Sequence, residues 1–272
     1  MSQELKELRD VIPTIIEELK KHPPTIGLIG VSGVGKSSTI NRLFKTDLPT
    51  SDTVACTKEF EQKDIELTCT QGELKNSSVP LRVIDAPGLG EDIKLDPKYL
   101  RMYQENLGSC DVIVWVLNGR NRAIALDQMY LQQLQKFHTK IVFALNQIDL
   151  IEPLNWNIEL NIPSQEQEKN IKVILEDRKK KLSSVIKNDV KMVEYSSKTG
   201  YRLEELFKTI IDSVPKEKTW IFNSLKNFSY RDYTPEVLLR VLDERDKKSL
   251  KQQDESGDKS WLERINPFRN NL

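Results

Sequence analysis

Gly30, Ser32, Gly33, Val34, Gly35, Lys36, Ser37 and Ser38 fall within nine consecutive residues. Their spacing is that of a phosphate-binding loop: Gly30 and Gly35 enclose four residues, and a lysine and a hydroxyl residue follow at once. Glycines let successive backbone N–H groups curl around a polyphosphate, and a helix that starts there adds the positive end of its dipole. Lys36 is placed to rest on β- and γ-phosphates, and the Ser37 hydroxyl to ligate Mg²⁺. The flanks have the required character. Thr25–Ile29 reads as a buried strand, and Thr39–Phe44 as the first turns of a helix. The implied ligand is a nucleotide.

The loop alone does not choose the base. Three later stretches bear on it: Asp85-Ala86-Pro87-Gly88, Asn146-Gln147-Ile148-Asp149 and Ser196-Ser197-Lys198. Each follows an apolar run that reads as a strand (Leu81–Ile84, Ile141–Leu145, Met192–Tyr195). Open α/β sheets put their ligands at just such strand ends. Each stretch is short, so their order and shared position carry the weight.

In this arrangement, residues 22–214 resemble the translation-factor class of GTPases, and the Era-like branch in particular. The resemblance implies an α/β fold, a mostly parallel central sheet with helices on both faces, as in Ras/Era-like G domains. Its implied ligands are GTP or GDP with Mg²⁺. Asp85 would hold Mg²⁺ through a water, and the Gly88 amide would sense the γ-phosphate. Asp149 would read guanine, whose N1–H and exocyclic amine adenine lacks as a pair; a site built on such bonds rejects the wrong partner by roughly 10⁴-fold or more. Asn146 would tie the base-reading loop to the phosphate loop. The Ser197 amide, beside Ser196, would reach the guanine carbonyl, and Lys198 would lie over the base.

Ser51 to Glu59, Asn118 to Ala123, and Asn146 through Glu152-Pro153 to Trp156 resemble a prophage- and plasmid-associated group of bacterial Era-like proteins, near the immunity-related GTPases. On that resemblance the switch-one threonine is Thr57, with Thr53 as the alternate; its hydroxyl would complete the Mg²⁺ shell only with GTP bound.

Departures from the wider family bear on mechanism. Gln147 stands where a lysine is usual, which implies weaker binding with specificity intact. Leu89 occupies the position of the glutamine that orients the attacking water in Ras-like enzymes. Gly33 replaces the asparagine that holds potassium in some relatives. A low intrinsic rate follows. An arginine from a partner is worth 10³–10⁵ in rate in known cases, and Arg120 and Arg122 sit just beyond the expected strand Val112–Leu117. They fit either a role in trans across a self-dimer at the nucleotide face or plain solvated residues.

The elements that must position these groups alternate as strand and helix from about residue 25 to 213, which argues for a largely parallel sheet covered on both faces. Glu59–Thr70 and Val79–Ile84 read as an antiparallel hairpin, Pro97–Leu107 and Leu203–Val214 as helices, and Glu152–Gln167 as a surface loop, to which the family resemblance assigns partner choice. The basic run Arg178–Lys181 reads as a solvated helix face. Leu5, Leu8, Ile12, Ile15, Ile16 and Leu19 recur at helical spacing. The expected organisation is an N-terminal amphipathic helix over 1–22, a G domain over 23–214, a helical appendage over 215–250, and a linker with an apolar tail over 251–272.

The 272 residues carry a formal net charge of zero and a pI of about 6.8, so no global field draws nucleic acid. Cys56, Cys69 and Cys110 show no paired or metal-binding spacing, and with no secretory signal the expected compartment is the cytoplasm. No apolar run approaches a membrane span, and the terminal helices lack the dense basic face of surface binders. A slow switch, a self-assembling GTPase and a non-hydrolysing guanine-nucleotide scaffold are the readings to be distinguished. The partner of the switch is unknown.

Overall fold

The computed structural model describes residues 13–14, 16–50, 60–68, 78–90, 92, 94–121, 123–186 and 189–215. Thr53, Cys56, Thr57, Cys69, Arg122 and, from residue 216 on, the expected C-terminal appendage and tail lie outside them. In chain order the strands are β1 (Thr25–Ile29), β2 (Glu61–Thr68), β3 (Ser78–Asp85), β4 (Val112–Asn118), β5 (Ile141–Asn146) and β6 (Met192–Glu194). The helices are α1 (Lys36–Phe44), α2 (Asp96–Asn106), α3 (Ala125–Gln133), α4 (Gln165–Ile186) and α5 (Leu203–Ile211).

The strands form one sheet in the order β2-β3-β1-β4-β5-β6. Only β2 runs antiparallel, paired with β3 from Glu61 opposite Asp85 to Thr68 opposite Ser78. β1 lies between β3 and β4, parallel to both. The chain therefore leaves β1 toward one side of the sheet and later returns to its other side. Such a reversal opens a crevice at the carboxyl ends of the strands, and here it falls at Gly30.

The central strands are apolar on both faces because both are covered. Along β4, Val112, Val114 and Val116 enter one core and Ile113, Trp115 and Leu117 the other, the two-residue alternation of a strand. α1 and α5 close the first core with Ile40, Leu43 and Phe44, and with Leu203, Leu206, Phe207, Ile210 and Ile211. The α5 residues recur at i, i+3, i+4 and i+7, one helical face. Leu19 and Ile16, in a helical stretch ahead of β1, pack on this same core. α2, α3 and α4 close the second core through Tyr99 and Tyr103, Tyr130 and Leu131, and Ile171, Leu182 and Ile186.

One expectation needs correction. The basic run on α4 is not uniformly solvated: Arg178 is buried, its guanidinium bonded to the Asn121 carbonyl and paired with Asp177. A run of like charges in sequence says nothing about a carbonyl waiting on a neighbouring turn. On α3, Leu126 and Met129 are exposed, at 44% and 41%, while Asp127, Tyr130 and Leu131 face inward. There the inward face is set by Trp115, whose indole N–H donates to Asp127 Oδ1 at 2.8 Å. Among the described residues, no helix is long and apolar enough to cross a membrane.

Candidate nucleotide-binding site

The phosphate-loop residues leave β1 and turn directly into α1. Gly35 has φ of 89°, in the left-handed region, and a side chain there would stand 2.5 Å from Asn146 Nδ2. Both constraints demand glycine. Lys36, the first residue of α1, is buried, with Nζ 3.4 Å from the Gly30 carbonyl and 3.3 Å from that of Val31. Its ammonium thus lies back over the loop. The Ser37 hydroxyl donates to Asp85 Oδ2 at 2.5 Å, across from the end of β3. Serine and aspartate oxygens are the hard donors that Mg²⁺ takes, so the pair fits that ion. Thr39 fixes the loop's exit, donating to the Gly35 carbonyl at 2.7 Å and meeting the Tyr195 hydroxyl at 2.7 Å.

Beyond Asp85 the chain runs alongside the phosphate loop. Leu89 N–H donates to the Gly30 carbonyl at 3.3 Å, and Ser32 N–H to the Leu89 carbonyl at 2.9 Å. A Cβ on Gly88 would lie 2.6 Å from Ser32 Cα, so this approach too requires glycine. The Leu89 side chain is wholly buried, turned into the second core. Three residues without motif status grip the segment. Tyr103 donates to the Pro87 carbonyl at 2.5 Å. Asp96 accepts from Gly90 N–H at 2.9 Å and, through its other oxygen, from the Tyr130 hydroxyl. Burial holds the Tyr103 phenol above the ordinary tyrosine range, which keeps it a donor. Its ring also meets Phe60 edge-on, with centroids 5.3 Å apart. The only sequence trace of this grip is the i, i+4 pair Tyr99 and Tyr103 behind the Asp85–Gly88 stretch.

At the other end of the crevice, Asn146 is fully buried and joins three loops. Its amide donates to the Val34 carbonyl at 2.9 Å and to Ser197 Oγ at 3.1 Å, and its Oδ1 accepts from Ser197 N–H at 2.9 Å. Gln147, with φ of 63°, reaches the Gly33 carbonyl through Nε2 at 3.1 Å. Asp149 is buried in a 3₁₀ turn, and its Oδ1 meets no donor among the described residues. An ionised carboxylate accepts only, and leaving one oxygen without a donor in the interior is costly. The geometry suits a ligand that brings N–H groups. Ser196 and Ser197 are buried on the loop that Asn146 holds, and Lys198 is exposed. The structure thus gathers Gly30, Ser32 to Ser38, Asp85, Gly88, Asn146, Gln147, Asp149 and Ser196 to Lys198 at one edge of the sheet.

Comparison with known proteins agrees with this geometry. Residues 25–147 match the family model described as "50S ribosome-binding GTPase". YfjP of Escherichia coli K12, an uncharacterized protein, is 33% identical over 159 residues, which are 57% of this chain and 51% of that protein. GTPase Der of Legionella pneumophila (strain Corby) is 29% identical over 128 residues, 46% of this chain and 26% of Der. The chain thus spans about half the length of the one and a quarter of the other. An Era variant from Aquifex aeolicus, bound to GDP·AlF4⁻, shares the fold with a TM-score of 0.54 at 21% identity, over 71% of this chain and 57% of Era. The fold is that of P-loop GTPase G domains.

Proposed function

We propose that this chain is a Mg²⁺-dependent GTP-binding protein that hydrolyses GTP slowly to GDP and phosphate and acts as a molecular switch. The observation that carries the reading is the buried Asp149 carboxylate with an oxygen open to a donor, in a loop that Asn146 and Gln147 join to the phosphate loop. In this reading Asp149 takes N1–H and the exocyclic amine of guanine, and the Ser197 amide takes the carbonyl. Gly30, Ser32, Gly33, Val34, Gly35 and Ser38 line the phosphate chain, and Lys36 neutralises charge on its β- and γ-groups. Ser37, Asp85 through a water, and Thr57, with Thr53 as the alternate, would hold Mg²⁺, which when bound would offset charge building on the phosphate oxygens. The Gly88 amide faces the γ-phosphate. Leu89, turned into the core, leaves the attacking water to backbone groups or to a partner, which supports a slow rate.

Asp149→Asn tests the reading. The amide can pair with the carbonyl that xanthine carries in place of the amine, so binding should shift from GTP to xanthosine triphosphate. A variant that still prefers GTP would remove Asp149 from base recognition. A second reading, activation by self-assembly, draws on Arg120. Its side chain is exposed, and its neighbour Gly119 donates to the Asn146 carbonyl at 2.8 Å. The second reading is supported by an exposed arginine on the turn bonded to Asn146.

A further inference from the structure

Residues 152–164 carry no motif, and their Asn- and Pro-rich composition reads as a surface loop. Much of the segment is exposed, and its polar side chains also reach the two loops at the proposed base-binding end. Asn157 and Ile162 exchange backbone hydrogen bonds at 2.9 and 3.2 Å, closing a tight turn. Within it Asn161 sits at φ of 50°, a left-handed position that asparagine, aspartate and glycine tolerate. Its side chain works in two directions. Oδ1 accepts from the Trp156 indole at 3.2 Å, and Nδ2 donates to the Thr199 carbonyl at 3.1 Å. Trp156 meets Tyr201 edge-on at 5.2 Å, and the Tyr201 carbonyl accepts from Ser196 N–H at 3.1 Å. The Ser196–Lys198 loop is thereby held from outside, one residue past its end.

The other base-reading loop is held from the same segment. Ser164 Oγ donates to Asn155 at 2.6 Å and accepts from Gln167 N–H at 3.2 Å, fixing the start of α4. Gln167 is wholly buried, and its Nε2 donates to the Ile151 carbonyl at 2.8 Å and to that of Asp149 at 3.3 Å. Asn170, a turn later, donates to the Glu152 carbonyl at 2.7 Å. These bonds end on backbone carbonyls of the loops that carry Asp149 and Ser197, so they fix where those two groups stand.

We infer that residues 152–167 form a clamp that sets guanine selectivity, with Asn161 and Gln167 as the positioning residues for Ser197 and Asp149. The inference rests on the guanine-binding reading above. Selectivity requires a carboxylate and an amide at the separation of two edges of one base. Hydrogen bonds weaken steeply once their angles stray, and loops carry the conformational freedom that lets them stray. A clamp ordered before the base arrives removes that cost from binding.

The test compares GDP, inosine diphosphate (which lacks the exocyclic amine) and inorganic tripolyphosphate as competitors of a fluorescent GDP, with thermal unfolding alongside. Asn161→Asp keeps the acceptor for Trp156 and loses the donor to Thr199. Gln167→Leu loses both donors to the Asp149 loop at similar volume. For each variant GDP should bind about tenfold more weakly, the loss of roughly one buried hydrogen bond. The preference for GDP over inosine diphosphate should shrink, while tripolyphosphate affinity stays within about twofold. Equal losses for all three ligands, or an unaltered preference beside a lower melting temperature, would overturn the clamp. If Gln167→Leu does not fold, Asn161→Asp, in a surface turn, decides alone. A wild-type chain that binds GDP no better than ADP defeats the guanine reading itself, and the clamp with it.

Discussion

Leu89 shows how one side chain's direction constrains chemistry. Its backbone is bonded on both sides to the phosphate loop, yet the side chain is wholly buried in the second core. A glutamine placed there would enter the core and not the crevice. Leu89→Gln should therefore leave GTP hydrolysis no faster while costing about 2–4 kcal/mol of stability, from lost apolar burial and an amide without partners. For a domain of this size that is a fall of about 6–12 °C in melting temperature. A rate increase on this substitution would mean that the segment swings out of the core during turnover. Gln147 poses the opposite case. Its amide already makes the bond to the Gly33 carbonyl, so a lysine would add charge to a bridge that exists. Gln147→Lys should tighten GDP binding by only about two- to fivefold, read by titration with a fluorescent nucleotide.

At the scale of elements, the join between β4 and α3 makes stability depend on pH. Asp127 lies at the start of α3, buried against β4, and accepts from the Trp115 indole. Burial pushes its carboxyl up to about 6, although the Trp115 bond and the Arg178 charge act the other way. Between the ordinary value of 3.8 and about 6, the native state keeps a proton that the unfolded chain has released. Stability then falls as pH rises through that window, by on the order of 2–3 kcal/mol, and this contribution is flat above it. Asp127→Asn keeps the acceptor and removes the charge. Relative to wild type it should gain stability between pH 4 and 6.5 in urea unfolding curves, whereas parallel pH profiles would show that Asp127 carries no such proton. The elements were largely legible beforehand. β4 reads as a strand from its run of β-branched residues, and α5 as a helix from the spacing of Leu203, Leu206, Phe207 and Ile210. The residues of the phosphate loop were legible because their chemistry needs those types at that spacing. Tyr103, Asn161, Gln167 and Arg178 were not, since each bonds to a backbone carbonyl. Every residue offers one, and sequence alone does not say which carbonyl comes within reach.

On the scale of the whole domain, one crevice divides the labour of two cores. β1 ends at the point where the strand order reverses, so the phosphate loop emerges there with β3 and Asp85 on one side and β5 and Asn146 on the other. The first core anchors α1 behind the phosphate loop, and the second holds Leu89, Tyr103 and Tyr130 behind the segment that follows Asp85. The position next to Gly88 is spent on the core, so Leu89 offers the crevice no side chain, and under the proposed function the attacking water must be held by other groups. Whether a second copy supplies one across the crevice turns on Arg120, exposed beside Gly119 at the Asn146 end. The grip of Tyr103 and Asp96 on the 87–90 segment is internal to one chain, and the proposed slow switch needs no second copy. The GTP hydrolysis rate per molecule should thus stay flat across a wide range of protein concentration, near ~10⁻⁴ per second, with ATP as the control substrate. Arg120→Ala should leave it unchanged. A rate that climbs with concentration in the wild type and stays flat in Arg120→Ala would reverse the assignment, making a second molecule the missing part of the site.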